Sequence, residues 1–278
     1  IIGLIGESGA GKTTFLHTLI GFLQPEKGEV LFRDHEQSDD QGSAKYLSVG
    51  KNQNRLKQLY GFAAQSPSFY EDLSVLENLQ YFGSLHHLNK NIIKSNSSSL
   101  LSLVSLDSFK NRPAKQLSGG MARRLDIACA LIHNPSILIL DEPTADLDPL
   151  LRNQMWDLVK KINKKQTTII LSSHHLAELE HICDRIIVLK DNKILAIDKP
   201  EVFKKKHLLE KKVILQTVPG NYSLIMSELK KKNIFAIKKD GFLSIPTNHP
   251  EKFLKEFMGL VKLLNEDLSY IEIQSGSL

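Results

Sequence analysis

The fold of this chain follows from one stretch of its sequence, Gly6-Glu7-Ser8-Gly9-Ala10-Gly11-Lys12-Thr13. The stretch lies between an apolar run at Ile1–Ile5, which predicts a buried strand, and a helical pattern over Lys12–Leu23. A glycine-rich turn in that context matches G-x-x-x-x-G-K-[ST], whose backbone N–H groups face inward on a phosphate. The N-terminus of the helix adds about half a positive charge. We therefore predict a nucleotide phosphate site at the end of the first strand.

The side chains of this loop divide into a cation and hydroxyl groups. Lys12 is predicted to reach the β- and γ-phosphates, and the Thr13 hydroxyl has the chemistry of a Mg²⁺ ligand. The predicted nucleotide-binding residues of the loop are Gly6, Glu7, Ser8, Gly9, Ala10, Gly11, Lys12, Thr13 and Thr14.

A second apolar run, Ile137–Leu140, ends in the acids Asp141 and Glu142. The carboxyl ends of parallel strands meet at one edge of a sheet, so we expect both acids beside the phosphate loop. Asp141 is predicted to join the Mg²⁺ shell, and Glu142 to face the water that attacks the γ-phosphate. Two acids after a strand are weak evidence alone, but coupled to the loop they predict nucleotide hydrolysis.

The segment Leu117–Met121, with the sequence LSGGM, narrows the choice of family. Together with Gln65, Asp148 and His174 in this order, it resembles the signature of ATP-binding-cassette (ABC) ATPases, the nucleotide-binding subunits of ABC transporters. The resemblance runs from residue 1 to about Pro200. It implies a P-loop NTPase cassette of the α/β class, with a mixed or parallel sheet core and a helical insertion.

By this resemblance two cassettes associate head to tail, as a homodimer or a paired cassette. Ser118, with the backbones of Gly119 and Gly120, would then cap the ATP held by the partner's phosphate loop, and Asp148 would act across the dimer. Asp146 stands where glycine is usual in the family, which changes the charge at the dimer seam.

The resemblance also implies roles for Gln65 and His174. Gln65 is expected to contact Mg²⁺ and to link hydrolysis to a transmembrane permease subunit, and His174 to contact the γ-phosphate. The neighbouring His175 competes for the second role, but His174 has the family's spacing to Glu178. The catalytic set is therefore Glu142, His174 and Gln65, the metal set is Thr13, Gln65 and Asp141, and the expected cofactors are ATP and Mg²⁺.

The predicted elements indicate two domains. Residues 1–207 are expected to form the ABC nucleotide-binding domain, with a helical subdomain at about 70–133. Residues 208–278, after the linker Lys204–Lys206, predict a small α+β domain of order βαββαβ, with a hairpin turn at Asp240-Gly241.

Two polar segments predict breaks in regular structure. The segment Asp34–Asn54 is polar and predicts a loop, and the segment Asn89–Ser99 predicts a polar interruption between helices.

Two expectations concern the ends of the chain. It opens on an apolar run without Met, which suggests a domain truncated at its N-terminus. In this family the aromatic residue that stacks on adenine lies upstream of the phosphate loop, so we expect that contact outside this sequence.

Composition excludes some classes and leaves others open. The 278 residues are 41% hydrophobic and 24% charged, as in ordinary globular proteins, and the net charge of +5 does not choose a partner. Cys129 and Cys183 both lie in apolar runs, which favours buried thiols over a disulfide framework. No apolar run reaches the roughly 18 residues of a membrane span.

We therefore expect an ATP-hydrolysing subunit of an ABC transporter, working in export through a separate transmembrane partner and without nucleic acid. Its expected location is cytoplasmic, peripheral at the inner face of the cell membrane. One alternative stays open: a soluble single-cassette ATPase of the iron–sulfur assembly type, which would co-purify with soluble scaffold proteins instead of a membrane subunit.

Overall fold

The computed structural model describes residues 1–38, 44–203, 211–239, 241–247 and 249–275. The chain divides into two compact units, Ile1–Asp198 and Lys199–Leu278. The strands are β1 (Ile2–Ile5), β2 (Leu31–Ser38), β3 (Ala44–Ser48), β4 (Tyr60–Ala63), β5 (Ile137–Leu140), β6 (Thr168–Ser173), β7 (Arg185–Lys190), β8 (Lys193–Asp198), β9 (Lys211–Val218), β10 (Ile237–Lys239), β11 (Phe242–Pro246) and β12 (Asp267–Ser275). The helices are α1 (Lys12–Leu19), α2 (Gln53–Leu59), α3 (Val75–Leu85), α4 (Lys90–Val104), α5 (Gly119–Leu131), α6 (Pro149–Asn163), α7 (Leu176–Glu180), α8 (Tyr222–Lys231) and α9 (Pro250–Leu263).

The first unit is built on a six-stranded sheet with the order β4-β5-β6-β1-β7-β8. Strands β4, β5, β6, β1 and β7 run parallel, and β8 pairs antiparallel with β7. This mixed sheet with covering helices confirms the predicted α/β class. Since the carboxyl ends of these five parallel strands lie at one edge of the sheet, that edge receives the residues that follow each of them.

The apolar runs form strands because both sides of the sheet are covered. Leu4, Leu138 and Leu140 are fully buried, and Leu16 and Ile20 of the first helical segment pack into the same unit. One core cluster joins Leu4 and Leu16 to Tyr60 and Ile139. The phosphate-loop strand β1 is therefore held at the centre of the sheet.

Two local predictions were wrong. The polar segment 34–54 contains part of β2, all of β3 and the start of α2, because its many polar residues hide the apolar patterning by which strands and helices are recognised. The segment 89–99 belongs to α4, whose buried residues Ile93, Ser97, Leu100 and Val104 recur at helical spacing. The serines between them mark the solvent side of a helix and do not interrupt it.

Helices α3, α4 and α5 pack together in the predicted helical region. Each begins at a polar cap that accepts a backbone N–H: Ser74 with Glu77 in a capping box, Asn89, and Ser118. The close approach of α5 to β4 depends on Gly61, where an added Cβ would lie 2.0 Å from the Ala130 carbonyl oxygen.

The second unit has the order β9-α8-β10-β11-α9-β12, and its strands form an antiparallel sheet β10-β11-β9-β12. This is the ferredoxin-like arrangement of the βαββαβ unit that the sequence predicts. Its own core includes Leu215, Ile225, Leu243 and Phe257. The predicted linker Lys204–Lys206 and Asp240 of the predicted hairpin turn lie outside the described residues.

Both cysteines are free and buried, as the sequence indicates. Burial raises the pKa of the Cys183 thiol to about 12 and raises that of Cys129 as well, so neither thiol is reactive near neutral pH. Within the described ranges, no helix combines the length and the apolarity that a membrane crossing requires.

Candidate functional site

The phosphate loop adopts a backbone that only glycine accommodates easily. Gly11 caps α1 with φ of 92°, in the left-handed region. At Gly6 a Cβ would lie 2.5 Å from the carbonyl oxygen of Leu189, so no side chain fits between the loop and β7. The loop thus leaves β1 and enters α1 in the strand–turn–helix arrangement that a phosphate-binding loop needs.

Lys12 is the buried cation of this loop, with 7% of its surface exposed. Its Nζ donates to the carbonyl oxygens of Gly6 at 2.9 Å and Glu7 at 3.2 Å, and lies 3.2 Å from Oε1 of Glu142. Two carbonyls and one carboxylate therefore fix the ammonium at the mouth of the loop.

Thr13 and Asp141 meet across the sheet edge, as their positions after β1 and β5 predict. The Thr13 hydroxyl donates to Oδ2 of Asp141 at 2.7 Å. The other carboxylate oxygen of Asp141 accepts from the Ser172 hydroxyl at 2.5 Å. Asp141 is 1% exposed, so its carboxylate is held in one orientation by these two hydroxyls.

Glu142 turns toward the loop through an uncommon backbone conformation. Its φ is 49°, in the left-handed region, where a residue with a side chain is strained. Its N–H donates to the Ser172 hydroxyl oxygen at 2.8 Å, and its carbonyl accepts from Ala145 N at 3.1 Å. Oε2 of Glu142 lies 2.7 Å from Nδ1 of His174. The Glu142 carboxylate is thus placed between the Lys12 ammonium and the His174 ring.

The structure brings Lys12, Thr13, Asp141, Glu142 and His174 together, but three other predicted residues are placed differently. Gln65 follows β4 at the same sheet edge and is exposed. The Ser118 hydroxyl accepts from Met121 N at 3.4 Å as the cap of α5. Asp148 caps α6, where its Oδ1 accepts from the N–H groups of Leu150 and Leu151 at 2.9 Å.

We call Lys12, Thr13, Asp141, Glu142 and His174 the Lys12 cluster. Among the described residues, no hydrogen bond joins Gln65, Ser118 or Asp148 to this cluster. The remaining predicted residues, Ser8, Gly9, Ala10 and Thr14, belong to the phosphate loop and the first turn of α1. Gly119 and Gly120 form the first turn of α5.

The donor set fits a hard divalent cation. The Thr13 hydroxyl oxygen and the Asp141 carboxylate are oxygen ligands of the kind that Mg²⁺ prefers, and they are already in contact. In the part of the chain that the structure describes, no three His, Cys, Asp or Glu side chains form a metal-binding group. A Mg²⁺ here would therefore take most of its ligands from phosphate and water.

Sequence reasoning missed Ser172, which bonds both Asp141 and Glu142. It lies in β6, where Leu171 is the register partner of Leu140, so the two strands end side by side. The neighbouring order of β5 and β6 is the signal that would have found it. The sequence reasoning also missed the buried pair of Arg123 and Asp126 on α5.

Comparisons with known proteins agree with this geometry. The sequence profile of one family, described as ABC transporter, matches residues 1–145. The chain is 32% identical over 195 residues to the linearmycin resistance ATP-binding protein LnrL of Bacillus subtilis (strain 168), which covers 70% of this chain and 59% of the relative. It is 34% identical over 194 residues to the daunorubicin resistance ATP-binding protein DrrA3 of Streptomyces coeruleorubidus, covering 70% and 58%.

Among solved structures, cbiO1 from Clostridium perfringens, described as part of the ABC transporter complex cbiONQ, matches with a TM-score of 0.62 and 25% identity. The match covers 75% of this chain and 80% of that one. The chain spans less than two thirds of the length of the two curated relatives. The profile match, the relatives and the shared fold confirm the resemblance seen in the sequence: this chain belongs to the ABC transporter family and contains its ATP-binding domain.

Proposed function

We propose that this chain is the ATP-binding and ATP-hydrolysing part of an ABC exporter and energises transport through a separate transmembrane subunit. The observation that carries the proposal is the position of Glu142, whose two carboxylate oxygens lie 3.2 Å from Lys12 and 2.7 Å from His174. The arrangement supplies a cation for phosphate, an oxygen pair for Mg²⁺ and a carboxylate for water in one place.

The phosphate loop would bind the nucleotide. Free backbone N–H groups of the loop and the N-terminus of α1 would face the phosphates, and Lys12 would move its ammonium from the Gly6 and Glu7 carbonyls to the β- and γ-phosphates. Thr13 and Asp141 would hold Mg²⁺ together with Gln65, whose position after β4 places it at the same sheet edge. A bound Mg²⁺ would neutralise phosphate charge.

Glu142 would accept a hydrogen bond from the attacking water and orient it toward the γ-phosphorus. His174 would hold the Glu142 carboxylate through the 2.7 Å contact and present the other ring nitrogen toward the γ-phosphate. The strained backbone of Glu142, fixed by Ser172, keeps the carboxylate on this side of the strand end.

We further propose that two cassettes act together. Ser118 is the N-cap of α5, so the N–H groups of Gly119 and Gly120 form a second helix N-terminus that suits a phosphate. Because Ser118 and Asp148 are bonded at their own helix caps and not to the Lys12 cluster, a role across a homodimer or paired cassette suits them better.

Residues 1–207 would form the nucleotide-binding domain, with the transport partner coupled through Gln65 and the helical region, and residues 208–278 an added domain. The expected location is the cytoplasmic face of the membrane. The names of the relatives, which refer to resistance to linearmycin and daunorubicin, make an antibiotic the cargo class to test first.

Co-purification of the full-length protein from membranes tests this proposal. We expect a polytopic membrane subunit to accompany it, and the complex to hydrolyse ATP. Association with soluble scaffold proteins and no membrane subunit would contradict the transport function and favour the iron–sulfur assembly type of ATPase.

A further inference from the structure

Arg123, on α5, joins two backbone positions that precede proposed catalytic residues. Its Nη1 donates to the carbonyl oxygen of Ala64, and its Nη2 donates to the carbonyl oxygen of Asp141 at 2.7 Å. Gln65 follows the first carbonyl and Glu142 the second. One planar guanidinium therefore spans the carboxyl ends of β4 and β5.

Asp126 extends the same contact to the other side of Gln65. Its Oδ2 lies 3.3 Å from Nη1 of Arg123. Its Oδ1 accepts from the N–H of Ser68 at 3.0 Å and from the Ser68 hydroxyl at 2.7 Å. Ala64 and Ser68 are thus both bonded to α5, and the three residues between them, beginning with Gln65, form a loop closed at both ends.

The ion pair of Arg123 and Asp126 is buried. The side chain of Arg123 is 8% exposed and that of Asp126 is 0% exposed. Burial lowers the pKa of Arg123 and raises that of Asp126, while their mutual attraction opposes both shifts. Desolvation offsets much of the attraction in a buried ion pair, so we expect this pair to fix an arrangement and to add little stability.

The neighbourhood leaves little room for α5 to move separately from β4. An added Cβ on Gly61 would lie 2.0 Å from the carbonyl oxygen of Ala130, so the helix and the strand touch through their backbones. Asp141 N also donates to Ala63 O at 3.0 Å, which ties the ends of β4 and β5 to each other.

We propose that Arg123 and Asp126 are positioning residues, which fix Gln65 and Glu142 relative to the helix that begins at Ser118. The inference rests on the proposed function, since it takes Gln65 and Glu142 as parts of the ATP site. A displacement of α5 by nucleotide at Ser118 would be passed directly to the backbone before both residues. Both side chains are bonded to protein groups, so their proposed effect on the ATP site acts through the backbone.

The first experiment measures backbone exchange and needs no activity. Hydrogen–deuterium exchange of the full-length protein is compared for three variants: Arg123→Met, Ser68→Ala and the control Arg124→Met. Arg124 is the next residue of α5, and its side chain donates a hydrogen bond to Gln154. We expect the amides of residues 64–66 and 68 to exchange at least about tenfold faster in the first two variants, and those of residues 141–142 to do so in Arg123→Met. Exchange at 168–173 should stay unchanged.

Equal protection of residues 64–68 in Arg123→Met, Ser68→Ala and the wild type would overturn the proposal, whatever the ATPase result. Should Arg123→Met fail to fold, Ser68→Ala still tests one end of the clamp, because Ser68 is exposed and the substitution removes only a hydroxyl.

The second experiment separates positioning from charge. Arg123→Lys keeps the positive charge beside Asp126 but has no planar fork to span two carbonyls. We expect its kcat for ATP hydrolysis to fall at least about tenfold. The Kd for ATP should stay within about threefold of the wild type, and the midpoint of thermal unfolding should be nearly unchanged. A wild-type kcat in Arg123→Lys would overturn the positioning role.

Two results would refute the proposed function separately from the positioning role. One is a wild-type protein that does not hydrolyse ATP, and the other is a Glu142→Gln variant that hydrolyses ATP at the wild-type rate. In that case the exchange measurement still decides whether Arg123 and Asp126 hold the Gln65 segment.

Discussion

The Nζ of Lys12 lies 3.2 Å from Oε1 of Glu142, so the phosphate-loop cation and the carboxylate after β5 form a direct ion pair with side-chain exposures of 8% and 11%. A phosphate entering the loop competes with that carboxylate for the ammonium. If Lys12 turned to phosphate, Oε1 of Glu142 would become free to accept a hydrogen bond from water, while Oε2 already lies 2.7 Å from Nδ1 of His174.

Glu142→Gln should reduce kcat for ATP hydrolysis by about 100-fold or more, since the amide is a poor acceptor for a proton from water. It should leave the Kd for ATP unchanged or lower it, because the competing charge beside Lys12 is removed. Steady-state phosphate release and equilibrium binding of ATP check both parts. Unimpaired phosphate release in this variant would exclude Glu142 as the residue that orients water.

Lys12→Ala and Ser118→Arg should separate the two proposed nucleotide contacts. The first removes the cation of the phosphate loop, and we expect ATP binding to weaken by about 100-fold. The second places a bulky side chain at the start of α5 and should stop turnover while ATP still binds to its own loop. A loss of binding in Ser118→Arg as large as in Lys12→Ala would contradict the role of Ser118 across the dimer.

His174→Ala should lower kcat by about tenfold or more with little change in the Kd for ATP, because the 2.7 Å contact to Glu142 is lost. His175→Ala is the matched control, since the two rings lie 3.9 Å apart but only His174 contacts Glu142. If His175→Ala reduced kcat more than His174→Ala did, the assignment of the two histidines would be reversed.

Gly61→Ala should destabilise the first unit by about 1–3 kcal/mol or more, because the new Cβ would overlap the Ala130 carbonyl oxygen at 2.0 Å. Gly50→Ala is the control, because a Cβ at that position meets no atom within 4 Å. Chemical denaturation measures both free energies of unfolding. Equal stability of the two variants would mean that α5 is not packed against β4 as described.

Acidification should destabilise the protein through His133. Burial, with a smaller effect from His86, lowers the pKa of His133 from 6.5 to about 4, while its Nε2 bonds the Tyr60 carbonyl at 3.1 Å. The folded state keeps this ring neutral where the unfolded chain takes a proton, so stability present above pH 6.5 falls as the pH drops toward 4.

The effect of this single group should amount to about 1–3 kcal/mol. Its measurement is the difference in unfolding free energy between pH 7 and pH 4.5. His133→Gln should reduce that difference, whereas His181→Gln, at an exposed position, should preserve it. Lys57, His86 and His87 line the same cavity as His133, and burial, with a smaller effect from His87, lowers the pKa of His86 as well.

Motifs made of residues adjacent in the sequence could be predicted in full. Contacts between residues that are far apart in the sequence could be predicted only in outline. Residues 6–13 carry their function in their own spacing, and the rule for parallel strands places Asp141 beside Thr13. The order of β5 and β6 in the sheet decides that Ser172 and His174 reach Asp141 and Glu142. Neither motif spacing nor hydrophobic patterning gives the order of strands in a sheet.

Two further differences have a common physical cause. The sequences of β2 and β3 are rich in polar residues, and α4 carries serines on its outer side, so hydrophobic periodicity was too weak to reveal these elements. The Arg123–Asp126 pair is the opposite case: its charges suggest a solvated helix face, yet the close contact of α5 with β4 buries them.

The parallel direction of β4, β5, β6 and β1 leaves the amino-terminal ends of these strands without any proposed chemical role. The turn that leads into β6 contains Lys165 and Gln166, both exposed. A fluorophore attached at residue 166 would be separated by a whole strand length from the nucleotide edge. That turn is therefore the natural attachment point for an optical reporter in single-molecule studies of cassette closure.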